Sequence, residues 1–581
     1  MSIKTAVILS ALQLCFILAS AQQSEPAMKE KKIVLYQLLP RLFGNKQTNN
    51  VPFGDRRQNG CGKFDDITTV ALNSIKELHV NYVWYTGIIA HASMSDYTAY
   101  GIPRDDADVV KGLAGSPYAI RDYYDVDPDL AADPAKRMQE FETLLARTHA
   151  AGLKVLIDFV PNHVARSYKS LMKPAGVSDF GSSDDTGKAF SAANDFYYIP
   201  GKALKVPGFP KADDAFSRLR DGKYSEFPAR ATGNNVFSEK PSADDWYETI
   251  KLNYGVDHSS KGKTYFEPRP ALWDKMKDIL NYWAGKGVDG FRCDVAEMVP
   301  VEFWAWVIPE LKKTYPGLVF LAEAYDPSVY ETYLKRGHFD YLYDKVGLYD
   351  ALKKLIRNQP DANTADIEAV WRKQTAGFDG QMLRFLENHD EERIASRFFA
   401  GGPEAALPAF VITATLGSGP VMVYNGQEVG EPGLGAEGFG KDDGRSTIFD
   451  YWGMPEHQKW MNGGTFDGGK LSAGQQKLRK AYQRILNIAA RHPAMSGKTE
   501  SLPVNNTRSN RVYGYFRTSA AGRLLILVNF DRTQSWQETF TLPFEAKAGA
   551  KELLTDSRFK LPAPNRLNVS VAAGTAKIIE F

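Results

Sequence analysis

The sequence predicts a (β/α)8 TIM barrel, with a subdomain inserted after the third strand and a C-terminal antiparallel β-sandwich. Three observations predict it. Helix-like and strand-like segments alternate through the middle of the chain, which implies a parallel sheet with helices outside it. Four short apolar runs, at 155–163, 288–294, 318–323 and 382–390, carry Asp158, Asp294, Glu323 and Asp390, the last three at the run's end. In such a barrel the strand C-terminal ends carry the catalytic groups. Beyond residue 490 the hydrophobic period drops from that of helices to two, the signature of short antiparallel strands.

Each element has its own signal. Asp133 followed by Pro134 opens a helix whose apolar face is Met138, Phe141, Leu144 and Leu145, and Gly152 ends it before a strand at 154–159. Leu272, Met276, Ile279, Leu280 and Trp283 recur at three- and four-residue spacing, Gly287 stops that helix, and the strand toward Asp294 follows. Phe303, Trp304, Val307 and Leu311 form the next face, with Gly317 as its stop before the strand to Glu323. Strands are expected at 33–37, 82–86, 341–343 and 421–424, so about eight can be counted. The barrel should span 30–490, the inserted subdomain 164–253, and the sandwich 495–581. The insertion exceeds an ordinary crossover by about 80 residues and is rich in Gly, Ser, Asp and Tyr. No repeat of fixed period and no low-complexity tract interrupts this order.

Composition narrows the function classes. A chain of 581 residues, 43% hydrophobic and 24% charged, buries large cores and is neither disordered nor fibrous. Lys4, an apolar stretch at 6–18 and small residues up to Ala21 read as a cleaved signal peptide over 1–21, with secretion or a periplasmic location to follow. A lipoprotein reading of Cys15 meets a bulky Leu14. Removing Lys4 leaves 70 basic against 69 acidic residues, a balance that offers nothing to nucleic acid or anionic membrane. No membrane-spanning segment is expected in the mature chain. Of three cysteines, Cys61 and Cys293 would remain, with no neighbours at zinc-ligand spacing, and are expected as free thiols.

The four acidic segments resemble the four signature regions of the α-amylase family of glycoside hydrolases, and they occur in the family's order. They are Asp158 to His163, Gly290 to Asp294, Glu323 after an apolar strand, and Glu387 to Asp390. Residues 118–124, 251–255 and 424–428 match further family segments, so the resemblance covers about residues 32–581. It implies Asp294 as nucleophile, Glu323 as acid/base and Asp390 as the carboxylate that binds sugar hydroxyls. Retaining cleavage needs two carboxyl groups about 5 Å apart, which adjacent barrel strands supply. Arg292 shares a strand face with Asp294 and is expected to keep it ionised. Tyr118, His163 and His389 are implied as sugar-binding residues, and Asp158 as structural support for Arg292.

Calcium and substrate stay open at this point. Asn162 matches a family position that often ligates calcium, and the loop with Asn45, Asn49, Asn50, Asp55 and Asn59 offers oxygen ligands, although such loops also serve as turns. No organic cofactor is implied. Tyr197, Tyr198 and Trp246 read either as sugar-stacking platforms or as subdomain packing. Where many polymer-cleaving members carry Lys and His after the nucleophile, this chain carries Glu297 and Met298. Three readings therefore stand: hydrolysis of α-1,4-glucans or maltooligosaccharides, transfer or isomerisation on the same covalent intermediate, and a non-catalytic sugar-binding relative. The three carboxylates argue against the last.

Overall fold

The computed structural model describes residues 32–209, 214, 216–439, 441–504, 510–546 and 549–581; the leader expected at 1–21, with Cys15, lies outside the described residues. Eight parallel strands form the central sheet: β1 Val34–Leu38, β2 Tyr82–Tyr85, β3 Lys154–Phe159, β4 Gly290–Cys293, β5 Val319–Ala322, β6 Tyr341–Tyr343, β7 Met382–Leu383 and β8 Val421–Tyr424. Their spatial order is β7-β6-β5-β4-β3-β2-β1-β8, and a parallel bridge from Arg384, just past β7, to Val421 joins the two ends into a barrel. Every residue of β1, β2, β4 and β8 is buried, because one face fills the barrel and the other meets the helices. That double burial is why these strands read as continuous apolar runs.

The helices form where apolar faces and caps coincide. α1 Thr69–Lys76 starts at Thr68, whose hydroxyl accepts the Ala71 N–H. α2 Arg137–Ala150 follows a 3-10 turn capped by Asp133 and ends before Gly152, at φ 75°. α3 Ala271–Gly285 and α4 Val301–Thr314 bury Trp283, Phe303 and Trp304 against the strands they connect. The stop of α4 differs from expectation. It ends at Thr314, two residues before Pro316, which forbids the helical conformation at Tyr315; Gly317 lies outside the cap. α5 Leu407–Thr415 is buried all round, since α6 Ala473–Arg491 covers it with Tyr482 stacked on Phe410 and the C-terminal sheet closes the other side.

Between β3 and β4 the chain leaves the barrel. His163–Ala165 pairs antiparallel with Thr249–Lys251, and most of the chain between them is irregular. Side chains do the work that a sheet would do elsewhere: Glu226, 5% exposed, bridges Arg166 and Arg230 at 2.7 Å each. The C-terminal part holds β9 Lys498–Ser501, β10 Val512–Ser519, β11 Gly522–Asn529, β12 Trp536–Thr541, β13 Ala550–Glu552, β14 Arg558–Phe559, β15 Arg566–Val571 and β16 Ala576–Glu580. One antiparallel sheet runs β9-β10-β11-β16-β13-β14 and a second pairs β12 with β15. Alternation sorts its side chains. Tyr513, Tyr515, Leu524, Ile526 and Ile578 join the barrel's core, while Phe516, Leu525, Leu527 and Ile579 meet Trp536, Phe540 and Val571 between the two sheets.

Candidate active site

All nine residues expected at the site lie at or near the C-terminal end of the barrel. Gly290 opens β4 at a point where a Cβ would sit 2.2 Å from Val319 O, so β4 and β5 approach closely. Cys293 pairs with Ala322, which puts Asp294 and Glu323 next to each other one step beyond the last registered pair. Arg292, fully buried, spans them: its Nη1 donates to Asp294 Oδ1 at 2.7 Å, and its Nη2 lies 2.7 Å from Glu323 Oε1 as an ion pair. The guanidinium is itself caged. Trp84 and Tyr118 ring centres lie 5.3 Å from it, Tyr343 at 5.7 Å, and its Nε donates to Tyr343 Oη.

Electrostatics divide the carboxylates. Burial pushes Asp294 well above the usual carboxylate range; Arg292 pulls against that and the charge of Glu323 adds to it. For Asp390 burial works in the same direction, but His389, Arg292 and Arg445 together outweigh it and its pKa falls. Asp158, raised by burial against the pull of Arg292, accepts from the Gly87 N–H at 2.9 Å and from Tyr118 Oη at 3.4 Å.

The aromatic and histidine residues form one hydrogen-bonded wall. Tyr118 Oη lies 2.6 Å from His389 Nε2, which also sits 3.0 Å from Asp390 Oδ2. Gln37 Nε2, 2.8 Å from His389 Nδ1, sets the ring's orientation from β1. Burial, then the charges of Lys251 and Lys111, hold His163 down at about 3, so it enters the site as neutral imidazole. Its ring lies 5.2 Å from that of Trp246.

These groups surround a cavity of about 420 Å³ lined by Asp294, Glu323, Asp390, Tyr118, His163 and Trp246, with Phe439 and Phe449 from the loop after β8. Trp246 thus faces the cavity, while Tyr197 and Tyr198 are buried in packing. A larger cleft of about 620 Å³ beside Lys354 and Asp366 has no aromatic ring in its lining. Residues outside the sequence-based expectation also take part. Tyr325 Oη donates to Glu323 Oε1 at 2.7 Å, and the Val295 N–H donates to Glu323 Oε2 at 2.7 Å. Tyr325 follows Glu323 by two positions, a signal that sequence reading could have used.

Asn162, the position expected to meet calcium, has protein partners on both polar atoms of its side chain. Asn162 Oδ1 accepts from the buried ammonium of Lys251 at 2.6 Å, and its Nδ2 donates to Gly233 O. The oxygen that a divalent ion would use thus already has a cationic donor beside it. In the loop after β1, Asn45, Asn50 and Asn59 spend their amides on backbone groups and Asp55 caps a short helix. Among the described residues no group of three His, Cys, Asp or Glu is placed to hold a metal. Cys61 and Cys293 are free thiols, both raised by burial, Cys61 to about 12. Among the described residues no helix is long and apolar enough to cross a membrane.

Comparison with known proteins agrees with this geometry. The chain is 22% identical over 539 residues to alpha-amylase 3 of Dictyoglomus thermophilum, covering 89% of this chain and 88% of that one. It is 21% identical over 524 residues to a cyclomaltodextrinase of a Bacillus species, covering 87% and 74%. Among solved structures, the α-amylase from H. orenii superposes with a TM-score of 0.62 at 20% identity, covering 95% of this chain and 100% of that one. The family model described as alpha amylase, catalytic domain, matches residues 37–483, which hold nearly all of the barrel and its acidic trio, and the chain therefore belongs to the α-amylase family of glycosidases.

Proposed function

We propose that this enzyme is a retaining glycoside hydrolase that cleaves α-1,4-glucosidic bonds, with short maltooligosaccharides as its preferred substrates. The observation that carries this reading is that Asp294 and Glu323, one step beyond the last registered pair of adjacent strands, are bridged by Arg292. Neighbouring strands lie about 4.8 Å apart, close to the separation of about 5 Å that a retaining pair needs. In this mechanism Asp294 attacks the anomeric carbon as the glycosidic C–O bond breaks, and Glu323 gives its proton to the leaving oxygen. Water then loses a proton to Glu323 and attacks the same carbon, which releases Asp294. Asp390, ionised and held by His389, stabilises the oxocarbenium-like charge, and Tyr118 and His163 hold the ring.

Preference for short chains rests on the cavity, whose 420 Å³ falls at the small end of ligand pockets, and on Phe439 and Phe449 from the loop after β8 at its wall. Asp294→Asn and Glu323→Gln should each lower turnover on maltotetraose by about a thousand-fold or more with the fold intact. Proton NMR of early product should show the α-anomer; an initial β-anomer would sink retention. Resolving the products from maltoheptaose decides between water and a sugar acceptor. We also infer export, supported by the apolar stretch behind Lys4; N-terminal sequencing of the mature protein should begin at Gln22.

A further inference from the structure

Glu297, three residues after the nucleophile, builds a strut. Glu297 does not line the cavity. Its Oε2 accepts the backbone N–H groups of Tyr325 and Asp326, at 3.0 Å each, and so clamps the turn that leaves β5. That turn carries the Tyr325 side chain back over the strand end, where its hydroxyl donates to Glu323 Oε1. Tyr325 also lines the cavity, half-buried, beside the carboxyl it contacts. The chain Glu297, Tyr325 backbone, Tyr325 hydroxyl, Glu323 therefore runs unbroken from outside the site to a carboxyl within it.

We propose that Tyr325 is a positioning residue for Glu323, and that Glu297 is the strut that holds it in place. The proposal rests on the reading of Glu323 as acid/base. A phenol donating to a carboxylate favours the ionised form, the form that must accept a proton from water in the second half of the reaction. It also fixes which oxygen is left to meet the leaving group. Around Glu323 the other charged and titratable groups are Arg292 and Asp294 from β4, Tyr343 from β6, and Asp390 beyond β7. Among the described residues Tyr325 gives Glu323 its side-chain hydrogen bond, beside the Val295 N–H and the Arg292 ion pair, so its removal changes one donor and leaves the β4 framework untouched.

The test compares Tyr325→Phe, Glu297→Leu and Glu297→Gln with wild type on maltotetraose and on α-maltosyl fluoride, whose leaving group needs no protonation. Tyr325→Phe should lower kcat on maltotetraose about tenfold, with KM within about twofold. It should move the basic limb of the kcat/KM profile upward by about one pH unit, the shift worth one hydrogen bond to a charged group. Glu297→Leu should reproduce both changes, while Glu297→Gln, which keeps an acceptor for the two N–H groups, should restore wild-type behaviour. An unmoved basic limb in Tyr325→Phe, or a loss confined to KM, overturns the proposal. Should Glu297→Leu fail to fold, the isosteric Tyr325→Phe still decides. Glu323→Gln separates the parent reading: if it hydrolyses maltotetraose as well as the fluoride, the acid assignment itself fails, whatever Tyr325 does.

Discussion

Val295 sits at φ 36° and ψ 47°, a left-handed conformation, and from there its backbone N–H reaches Glu323 Oε2 at 2.7 Å. For a β-branched side chain that conformation is unfavourable, at about 1–3 kcal/mol. It persists at the residue immediately after Asp294, where the turn must bring one backbone donor across to the neighbouring strand. The next amide, Ala296 N–H, donates to Glu323 O, so the turn is tied to β5 twice.

Replacing Val295 by glycine should release this strain. The melting temperature is expected to equal or slightly exceed that of wild type, because glycine's entropic cost of about 0.5–1 kcal/mol is no larger than the strain removed. Turnover should fall several-fold as the donor to Glu323 gains freedom. Differential scanning calorimetry with steady-state kinetics checks both, and a clear drop in melting temperature would show that no strain was stored there.

A second prediction concerns the loop after β8. Glu431 and Glu437 are buried together, and burial raises them to about 8 and about 7, with Arg393 opposing for Glu437 and the neighbouring carboxyl adding to the shift of Glu431. Both folded-state values lie above those of the unfolded chain. Their contribution is therefore fully present below about pH 4.5 and is lost as pH rises toward 8, since the folded state holds protons the unfolded chain has released. Urea midpoints should show a stability loss over this window that is smaller in Glu431→Gln with Glu437→Gln. A double variant whose pH dependence matches wild type would refute the shared-burial account.

Much of this arrangement was legible because buried parallel strands read as apolar runs, and a polar residue closing such a run sits at the barrel mouth. Asp294 and Glu323 are findable on that ground alone. The apolar run toward Asp390 spans residues 382–390, yet β7 holds only Met382 and Leu383. Beyond them Asn388 Oδ1 accepts the N–H groups of Asp390 and Glu391, an Asx turn that swings the chain out of the sheet. Contacts across long separations were illegible. Gln37 meets His389 across 352 positions and Lys251 meets Asn162 across 89, and nothing local in either segment marks the partner. The role of Glu297 was hidden for a different reason: its partners are backbone amides, which every sequence supplies.

The two thiols offer a third test. Cys293 is buried in β4 and Cys61 is half-buried with its sulfur near Asp129 O. Reductant should leave the melting temperature unchanged, and thiol titration in denaturant should count both. A fall in melting temperature with reductant would reveal a disulfide, whose loss typically costs about 2–5 kcal/mol in small domains.

The last prediction follows from the ammonium on Asn162. Lys251 is 3% exposed, has no carboxylate ion-paired to it among the described residues, and burial lowers it to about 7. Its folded value thus lies below the unfolded one near 10.4. Below about pH 7 the folded protein carries the buried charge at full cost. As pH rises from there the folded state sheds its proton before the unfolded chain does, so the unfolded chain binds more protons and stability rises. Between pH 7 and 9 wild type should therefore gain more stability than Lys251→Met, by on the order of 1–2 kcal/mol. The hydrogen bond lost to Asn162 in the variant shifts both pH values alike and drops out of the difference. Chelator should leave the melting temperature of wild type unmoved, because the lysine already engages the oxygen a divalent ion would need. Urea titrations of both proteins at the two pH values decide the matter: equal gains would mean that Lys251 keeps the ordinary lysine pKa inside the fold, and the account of a desolvated lysine seated on Asn162 fails with it.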